Sequence, residues 1–288
     1  KLLKHINQVC PVHGYGMLSV MTNGSNRSSV LYIPHGGGPL PLMDHPGHHD
    51  LIRFLKAIPE RLGEPDLILV ISAHWEAFVP SVTGDPQPPI EYDYYGFPKA
   101  CYQITYPAPG APEVADRIVD LMNSEEMKPR LDHAKGFDHG MFVPLKLMYP
   151  EASIPCLQLS LLASFDPGEH IAMGRALLPL LDDNILVLGS GFSFHNMGAF
   201  REKRSDDRDL VFDQWLRETL TDSAAAAERT REALKNWEQA PHARWCHPTE
   251  DHLLPLHVCL GMASGPAEVV FNDDVLGRRA SAFLWQSD

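Results

Sequence analysis

Apolar and polar positions are grouped along the chain in blocks that predict strands followed by helices. Continuous apolar runs, such as L-I-L-V-I-S-A at 67–73, are typical of strands buried on both faces of a sheet. Apolar residues at helical spacing predict the intervening helices, and Pro112 lies in the first turn of one of them. The predicted strands are 29–34, 67–73, 154–161, 185–189, 269–272 and 281–285. The predicted helices are 50–58, 112–122, 169–181, 208–221, 224–237 and 251–262.

This order of elements predicts an α/β fold, a single domain with a central mixed, largely parallel sheet flanked by helices. The chain has no internal repeat, and no linker is long enough to separate two domains. We expect residues 30–288 to form that domain. Residues 1–29 match no pattern and are expected to be an N-terminal extension.

The composition excludes several classes of protein. The 288 residues carry a formal net charge of -13, which argues against nucleic acid or an anionic membrane as a partner. No stretch approaches the ~20 apolar residues of a membrane helix, so we expect no membrane span. The five cysteines form no C-x-x-C pair. We therefore expect reduced thiols in a cytoplasmic protein rather than a disulfide or zinc-ribbon scaffold.

A long segment rich in proline, residues 92–110, follows the second predicted strand. Loops of this length are usually lids or binding loops. Its aromatic residues are Tyr92, Tyr94, Tyr95, Phe97, Tyr102 and Tyr106. They suit a wall around an apolar, ring-shaped ligand, with Tyr95 and Phe97 as candidate substrate contacts. The alternative is that these rings only pin the loop to the surface beneath it.

Histidines follow three of the predicted strands. His35 begins H-G-G-G, His74 ends S-A-H, and His195 ends F-S-F-H. Ligands of open α/β sheets bind beyond the carboxyl ends of the strands, and imidazole is the commonest ligand of transition metals. We therefore expect these three side chains to converge on one metal site.

His139 lies in G-F-D-H-G, directly before an apolar helical segment. The dipole at a helix N-terminus disfavours imidazolium and helps keep this ring neutral. Asp138 beside it is a candidate for orienting the ring. The remaining histidines outside these motifs and P-T-E-D-H are expected at the surface or in packing roles: His5, His13, His45, His48, His49, His133, His170, His242, His247 and His257.

The motif P-T-E-D-H places Glu250, Asp251 and His252 at the start of the last predicted helix. Thr249 is its expected N-cap, and acidic residues in a first turn also have a purely electrostatic explanation. Other chemistries lack support, because the chain has no G-x-S-x-G, H-E-x-x-H or G-x-x-x-x-G-K-[ST] motif.

Together these motifs resemble the class III extradiol ring-cleaving dioxygenases, the LigB-like superfamily, and most closely its DOPA-dioxygenase-type branch. The matching stretches are P-H-G-G-G-P at 34–39, S-A-H-W at 72–75, Y-G-F-P at 95–98, Y-P-A-P-G at 106–110, G-F-D-H-G at 136–140, I-P-C-L-Q-L-S at 154–160, F-H-N at 194–196 and P-T-E-D-H-L-L-P-L at 248–256. Two features depart from the branch. Its first motif is often G-H-G-S-P, and the segment 201–241 is longer than usual here.

The resemblance implies a metal ion held by His35, His74 and His252. Glu250 is the alternative to His252, because many relatives use two histidines and one carboxylate, the facial triad of non-heme Fe(II) oxygenases. Fe(II) is the implied working ion. Neutral nitrogen ligands also bind Zn(II), so the isolated protein can contain zinc.

The implied reaction opens the ring of a catechol, including one with a DOPA-like side chain, with O₂. His195 matches the family's acid/base histidine, which also approaches the metal in zinc-containing relatives. A base near neutral pKa can take the proton of a substrate hydroxyl. His139 would contact the substrate or the oxygens derived from O₂. The alternative is a non-redox zinc hydrolase or a metal-binding module on the same scaffold.

Overall fold

The described residues of the computed structural model, 28–225 and 227–286, form one mixed sheet covered by helices. Its strands are β1 (Ser29–Pro34), β2 (Leu67–Ala77), β3 (Ser81–Thr83), β4 (Arg130–Asp132), β5 (Cys156–Leu162), β6 (Ile185–Gly191), β7 (Glu268–Val275) and β8 (Arg278–Gln286). They are arranged in the order β4-β3-β5-β2-β6-β1-β8-β7. Most of the predicted N-terminal extension lies outside the described residues.

The four central strands, β5, β2, β6 and β1, are parallel to one another. Every residue of β1 and β6 is buried, as expected for parallel strands covered on both faces. Towards the two edges, β3 pairs antiparallel with β5, and β8 pairs antiparallel with β1 and β7. The predicted single α/β domain with a mixed, largely parallel sheet is therefore confirmed.

The helices pack on both faces of this sheet. They are α1 (His49–Ala57), α2 (Pro59–Leu62), α3 (Pro112–Ser124), α4 (His139–Met148), α5 (Pro167–Ala176), α6 (Arg208–Thr221), α7 (Ala227–Lys235), α8 (Ala243–Cys246) and α9 (Leu254–Met262). All of α9 is buried, and it packs closely on α5. A Cβ on Gly174 of α5 would lie 2.1 Å from the Val258 carbonyl oxygen, so only glycine permits this approach. None of the helices in the described ranges is long and apolar enough to cross a membrane.

Proline explains two differences between the predicted and observed helices. The helix predicted over 50–58 is α1, but Pro59 starts α2 instead of ending the helical path, because its missing N–H is not needed in a first turn. The helix predicted over 169–181 divides into α5 and a 3-10 helix, Leu178–Asp182, with a proline near the start of the second piece.

The last predicted helix also begins later than the sequence pattern indicates. The predicted start is residue 251, whereas α9 begins at Leu254 with Leu253 as its N-cap. The expectation that Thr249 caps this helix is wrong. Its hydroxyl instead donates a hydrogen bond to Asp251 at 2.8 Å. The acidic motif before α9 is therefore a turn that precedes the helix rather than its first turn.

Candidate metal centre and active site

The carboxyl ends of the central strands deliver the three predicted histidines to one edge of the sheet. His35 directly follows β1, and its backbone N–H donates to the Gly191 carbonyl at the end of β6 at 3.1 Å. His195 follows β6, and its backbone N–H donates to the Cys246 carbonyl at 3.0 Å. His74 lies within β2, which extends beyond its predicted end.

An irregularity in β2 gives His74 its position. The pairs Ile71–Leu159 and Glu76–Leu161 are consecutive in the ladder with β5, so five steps along β2 oppose two along β5. Such a bulge bends the strand and changes the direction of its side chains, and bulges are common beside active sites. The His74 side chain leaves the regular ladder at this point and faces the other histidines.

Five imidazole rings form a single cluster. The Nε2 atoms of His35 and His74 are 3.0 Å apart. The His139 ring centroid lies 3.9 Å from that of His74, and the His252 centroid lies 4.9 Å from it. His195 stacks on His252 with centroids 3.3 Å apart and ring planes at 14°. Ligands at ~2.1 Å from one ion have donor atoms at most about 4 Å apart, and the His35–His74 distance meets this requirement.

The backbone around His252 is fixed by the sheet. Its carbonyl oxygen accepts hydrogen bonds from the Tyr32 hydroxyl and the Phe192 N–H, both at 2.9 Å. A Cβ on Gly191 would lie 2.1 Å from the same oxygen, so the close approach of this loop to β6 requires glycine. His252 is thereby held beside His35, with ring centroids 5.2 Å apart.

Hydrogen bonds to the outer ring nitrogens define the direction of His35 and His252. The Ser190 hydroxyl donates to the Gly140 carbonyl, so its oxygen accepts from His35 Nδ1 at 3.2 Å. His252 Nδ1 donates to an Asp251 carboxylate oxygen at 2.8 Å. With Nδ1 protonated in both rings, each Nε2 keeps a lone pair. Metal-binding histidines typically have this kind of support from a second group.

Burial keeps these rings neutral. It lowers the pKa of His35 and His252 well below the ordinary value of 6.5, and neighbouring imidazoles lower both further. The pKa of His74 falls to about 3 through burial and the nearby His139. Burial also lowers the pKa of His195, against the opposing effect of Asp251. Neutral imidazoles are the form that binds metal, so the donor set fits a divalent ion such as Fe(II) or Zn(II).

The partner of the His139 ring differs from the expected one. Asp138 does not orient it, because its fully buried carboxylate accepts hydrogen bonds from Ser72 Oγ at 2.7 Å and from Gln158 Nε2. Asp93 takes this role, with a carboxylate oxygen 2.8 Å from His139 Nδ1. Sequence reasoning missed Asp93. Its position within the aromatic loop was the only available signal.

Contact with His139 lowers the pKa of Asp93. Burial alone would raise the pKa of this carboxyl group, but the hydrogen bonds from His139 lower it to about 2. Burial raises the pKa of Asp138, which receives a smaller opposing effect from Lys135. Of Asp93 and Asp138, it is Asp93 whose carboxylate is hydrogen-bonded to a ring of the histidine cluster.

Glu250 has a different partner. Its Oε2 lies 2.6 Å from Arg244 Nη1, on the loop between α8 and α9. Asp251, next to it, accepts the hydrogen bond from His252. The geometry thus brings the imidazole of His252 to the cluster and leaves the Glu250 carboxylate in an ion pair.

Three tyrosine hydroxyls pin the aromatic loop to its surroundings. Tyr92 and Tyr94 donate to the carbonyl oxygens of Ile104 and Cys101 at 2.7 and 2.6 Å. The hydroxyl of Tyr106 donates to the Tyr149 carbonyl at 3.1 Å. These three tyrosines therefore pin the loop in place, the alternative role that the sequence pattern left open.

The other side of the loop borders the histidine cluster. The Tyr94 ring lies 5.9 Å from that of His139, and Phe97 lies 5.4 Å from Tyr94. Phe97 also faces Gly38 in the segment after His35, where a Cβ would lie 3.4 Å from its ring. The Tyr95 ring is 92% exposed. Phe97 therefore connects two segments of the site, while Tyr95 presents a free ring.

His48 also contributes to the site, although the sequence pattern placed it among the packing histidines. It contacts the glycine segment that follows His35. It is fully buried, and its Nε2 accepts the Gly37 N–H at 3.0 Å. Burial lowers the pKa of His48 to about 4, so the ring stays neutral and can accept this bond. It stabilises the glycine segment that follows His35.

Comparison with known proteins gives a consistent result. A family model described as the catalytic LigB subunit of aromatic ring-opening dioxygenase matches residues 29–278. Dioxygenase tasH from Hapsidospora irregularis is 38% identical over 276 residues, which cover 89% of this chain and 85% of the relative. A 4,5-DOPA dioxygenase extradiol from Beta vulgaris is 37% identical over 259 residues, or 88% of this chain and 94% of that protein.

A bacterial relative and a solved structure extend the similarity. The 4,5-DOPA dioxygenase extradiol of Escherichia coli strain K12 is 33% identical over 245 residues, covering 84% of this chain and 87% of the relative. The crystal structure of uncharacterized protein JW3007 from Escherichia coli K12 superposes with a TM-score of 0.72 at 26% identity. It covers 90% of this chain and 100% of that one.

The fold and the buried histidine cluster at the sheet edge define a metal-dependent aromatic ring-opening dioxygenase. The chain belongs to the LigB family and, within it, to the extradiol dioxygenases of the DOPA-dioxygenase type. The expected family and reaction class are confirmed.

Proposed function

We propose that this enzyme opens the ring of a catechol with O₂, using Fe(II) held by His35, His74 and His252. The observation that carries the proposal is the cluster of neutral imidazoles: the Nε2 atoms of His35 and His74 are 3.0 Å apart, and the His252 ring centroid lies 5.2 and 4.9 Å from theirs. Relatives named 4,5-DOPA dioxygenase extradiol support a catechol with an amino-acid side chain as the substrate.

The bound ion would supply open coordination positions for the two catechol oxygens and for O₂. The chain's own residues would then manage protons and position. His195 is neutral and can take a proton from a substrate hydroxyl, and its stacking on His252 fixes its ring. His139, the first residue of α4, belongs to the same ring cluster. There it would contact the substrate or the oxygens derived from O₂.

The balanced reaction adds both atoms of O₂ across a ring carbon–carbon bond beside the diol. That bond breaks, and the product carries a carboxylic acid at one new end and an aldehyde at the other. No external reductant is needed, because the catechol supplies the electrons. Zinc, which has no redox chemistry, would occupy the same nitrogen ligands without supporting this step.

An anaerobic reconstitution tests the function. Protein freed of metal is loaded with Fe(II), mixed with a panel of catechols that includes one with an amino-acid side chain, and then exposed to O₂. We expect one mole of O₂ to be consumed for each mole of catechol that is opened, and we expect a yellow product. Zinc-loaded protein should give neither.

The opposite result would support the alternative function. If the iron-loaded enzyme leaves every catechol intact while the zinc-loaded protein hydrolyses esters, amides or phosphates, a zinc hydrolase on this scaffold is the better assignment. If neither form turns over any compound but both bind metal, the chain acts as a metal-binding module.

We propose Tyr95 and Phe97 as substrate contacts. A planar ring bound at the histidine cluster leaves apolar faces that need cover, and both side chains belong to the loop beside His139. Phe97→Ala and Tyr95→Ala should each raise KM for the best catechol roughly tenfold, about 1.4 kcal/mol, with the melting temperature little changed. Lys99→Ala, on the same loop and exposed, is the control. Unchanged KM with a lower melting temperature would identify a structural role instead.

We also propose that residues 30–288 form the catalytic domain and that the protein is cytoplasmic. Four cysteines within the described residues form no disulfide, which supports this location. They are Cys101, Cys156, Cys246 and Cys259, and all are buried. Reduced thiols are the usual state in the cytosol.

A further inference from the structure

We propose that Asp93 is a positioning residue that holds the His139 ring in one orientation and one tautomer for ring opening. The inference rests on the proposed role of His139 in the site.

The Asp93 carboxylate contacts His139 at two points. One oxygen accepts the backbone N–H of His139 at 3.0 Å, and the other accepts Nδ1–H at 2.8 Å. The first bond satisfies an N–H at the start of α4 that has no partner within the helix. The second fixes the ring. Together they tie the main chain and the side chain of His139 to the same group.

The loop that carries Asp93 is itself held on both sides. Tyr92 and Tyr94 each donate a hydroxyl hydrogen bond to a loop carbonyl, and the Tyr94 ring packs against His139. The Asp93 side chain is 22% exposed. The oxygen that binds His139 also lies 3.7 Å from His74 Nδ1. Asp93 therefore links the aromatic loop to two rings of the cluster.

This geometry determines the tautomer. When Nδ1 donates to the carboxylate, Nε2 of His139 carries a lone pair. A carboxylate that holds a histidine through Nδ1 fixes both its orientation and its tautomer, as in serine protease triads. Two acceptor oxygens are required here, one for the backbone N–H and one for the ring, and only a carboxylate supplies both.

Asp93→Asn makes a specific prediction. The amide retains one acceptor oxygen, so if it stays on the His139 backbone N–H, the NH₂ group faces Nδ1 and donates to it. The ring proton must then move to Nε2. We expect kcat to fall roughly 10–100-fold, the usual effect of losing such a supporting group, with KM within about twofold.

The tautomer can be measured without turnover. In the zinc-loaded full chain with ¹⁵N-labelled histidine, the His139 signals are assigned by their loss in His139→Gln. We expect Nδ1 to be protonated in the wild type and Nε2 in Asp93→Asn. Lys99→Ala lies on an exposed part of the same loop and leaves Asp93 and its hydrogen bonds in place, so this control should keep the wild-type tautomer and a kcat within about twofold.

A double-mutant cycle separates positioning from general support of the fold. In the His139→Gln background, Asp93→Asn should change kcat by less than about twofold, because its effect passes through His139. An equal loss of kcat in both backgrounds would overturn the proposal. So would a wild-type His139 that carries its proton on Nε2, even if Asp93→Asn fails to fold. A failure to find any catechol substrate would instead count against the proposed function and leave the tautomer measurement valid.

Discussion

His35→Ala is expected to abolish both metal binding and ring opening. His35 is 1% exposed, its Nε2 lies 3.0 Å from His74 Nε2, and Ser190 holds its outer nitrogen. Loss of a supporting group alone weakens metal binding or activity 10–100-fold, so loss of the ligand itself should cost at least about 10²-fold in metal affinity. Metal per chain after reconstitution, and O₂ uptake with the best catechol, measure the two effects.

Variants of the other rings complete this experiment. Removal of His252 should cause a similar loss of metal, whereas His139→Ala should retain the ion, because we propose His252 as the third ligand. His49→Ala is the matched control, since this exposed histidine lies outside the cluster. Retained metal in His252→Ala together with lost metal in His139→Ala would reassign the third ligand to His139, whose donor atom also groups with those of His35 and His74.

The convergence of His35, His74 and His195 could be predicted because it depends on strands alone. Continuous apolar runs identify buried parallel strands, and parallel strands end at a shared edge of the sheet. The observed order places β2, β6 and β1 side by side. The convergence of histidines at the ends of these strands could therefore be predicted without knowing the paths of the loops.

The partners of these rings could not be predicted, because they depend on the paths of irregular segments. Asp93 reaches His139 across 46 residues of chain, through a loop without helical or strand periodicity. Asp138 is the neighbour of His139 in sequence, but the main chain turns its side chain into the interior, towards Ser72. Adjacency in sequence was a poor guide because successive side chains at a helix start point in different directions.

The position of His74 shows the same limit within a strand. A regular β2 would alternate its side chains between the two faces of the sheet throughout its length. The bulge between Ile71 and Glu76 breaks this alternation, and nothing in the apolar pattern indicates it. The motif located the histidine, but its direction follows from how β5 and β6 pair with β2.

His195→Phe should lower kcat for ring opening by at least ~10²-fold while the protein keeps its metal. The ring of His195 lies flat on His252 at 3.3 Å, and phenylalanine preserves a flat ring in this stack. Phenylalanine cannot accept a proton, so the variant removes general acid/base chemistry, which is typically worth 10²–10⁴-fold. Steady-state O₂ uptake and metal per chain are measured on the same iron-reconstituted samples. His195→Gln provides a second variant that keeps hydrogen bonding without titration near neutral pH.

His195→Phe is to be compared with His35→Ala. Loss of a proton-transfer residue should lower the catalytic rate while the ion stays bound, whereas loss of a ligand should remove the ion. Met197→Ala, two residues further on and 56% exposed, is the control and should stay within about twofold of the wild-type kcat. If His195→Phe is instead isolated without metal and cannot be reconstituted, His195 is a principal ligand. The stack on His252 would then mark two ligands of the same ion, and the base would have to be sought at His139, the remaining ring of the cluster.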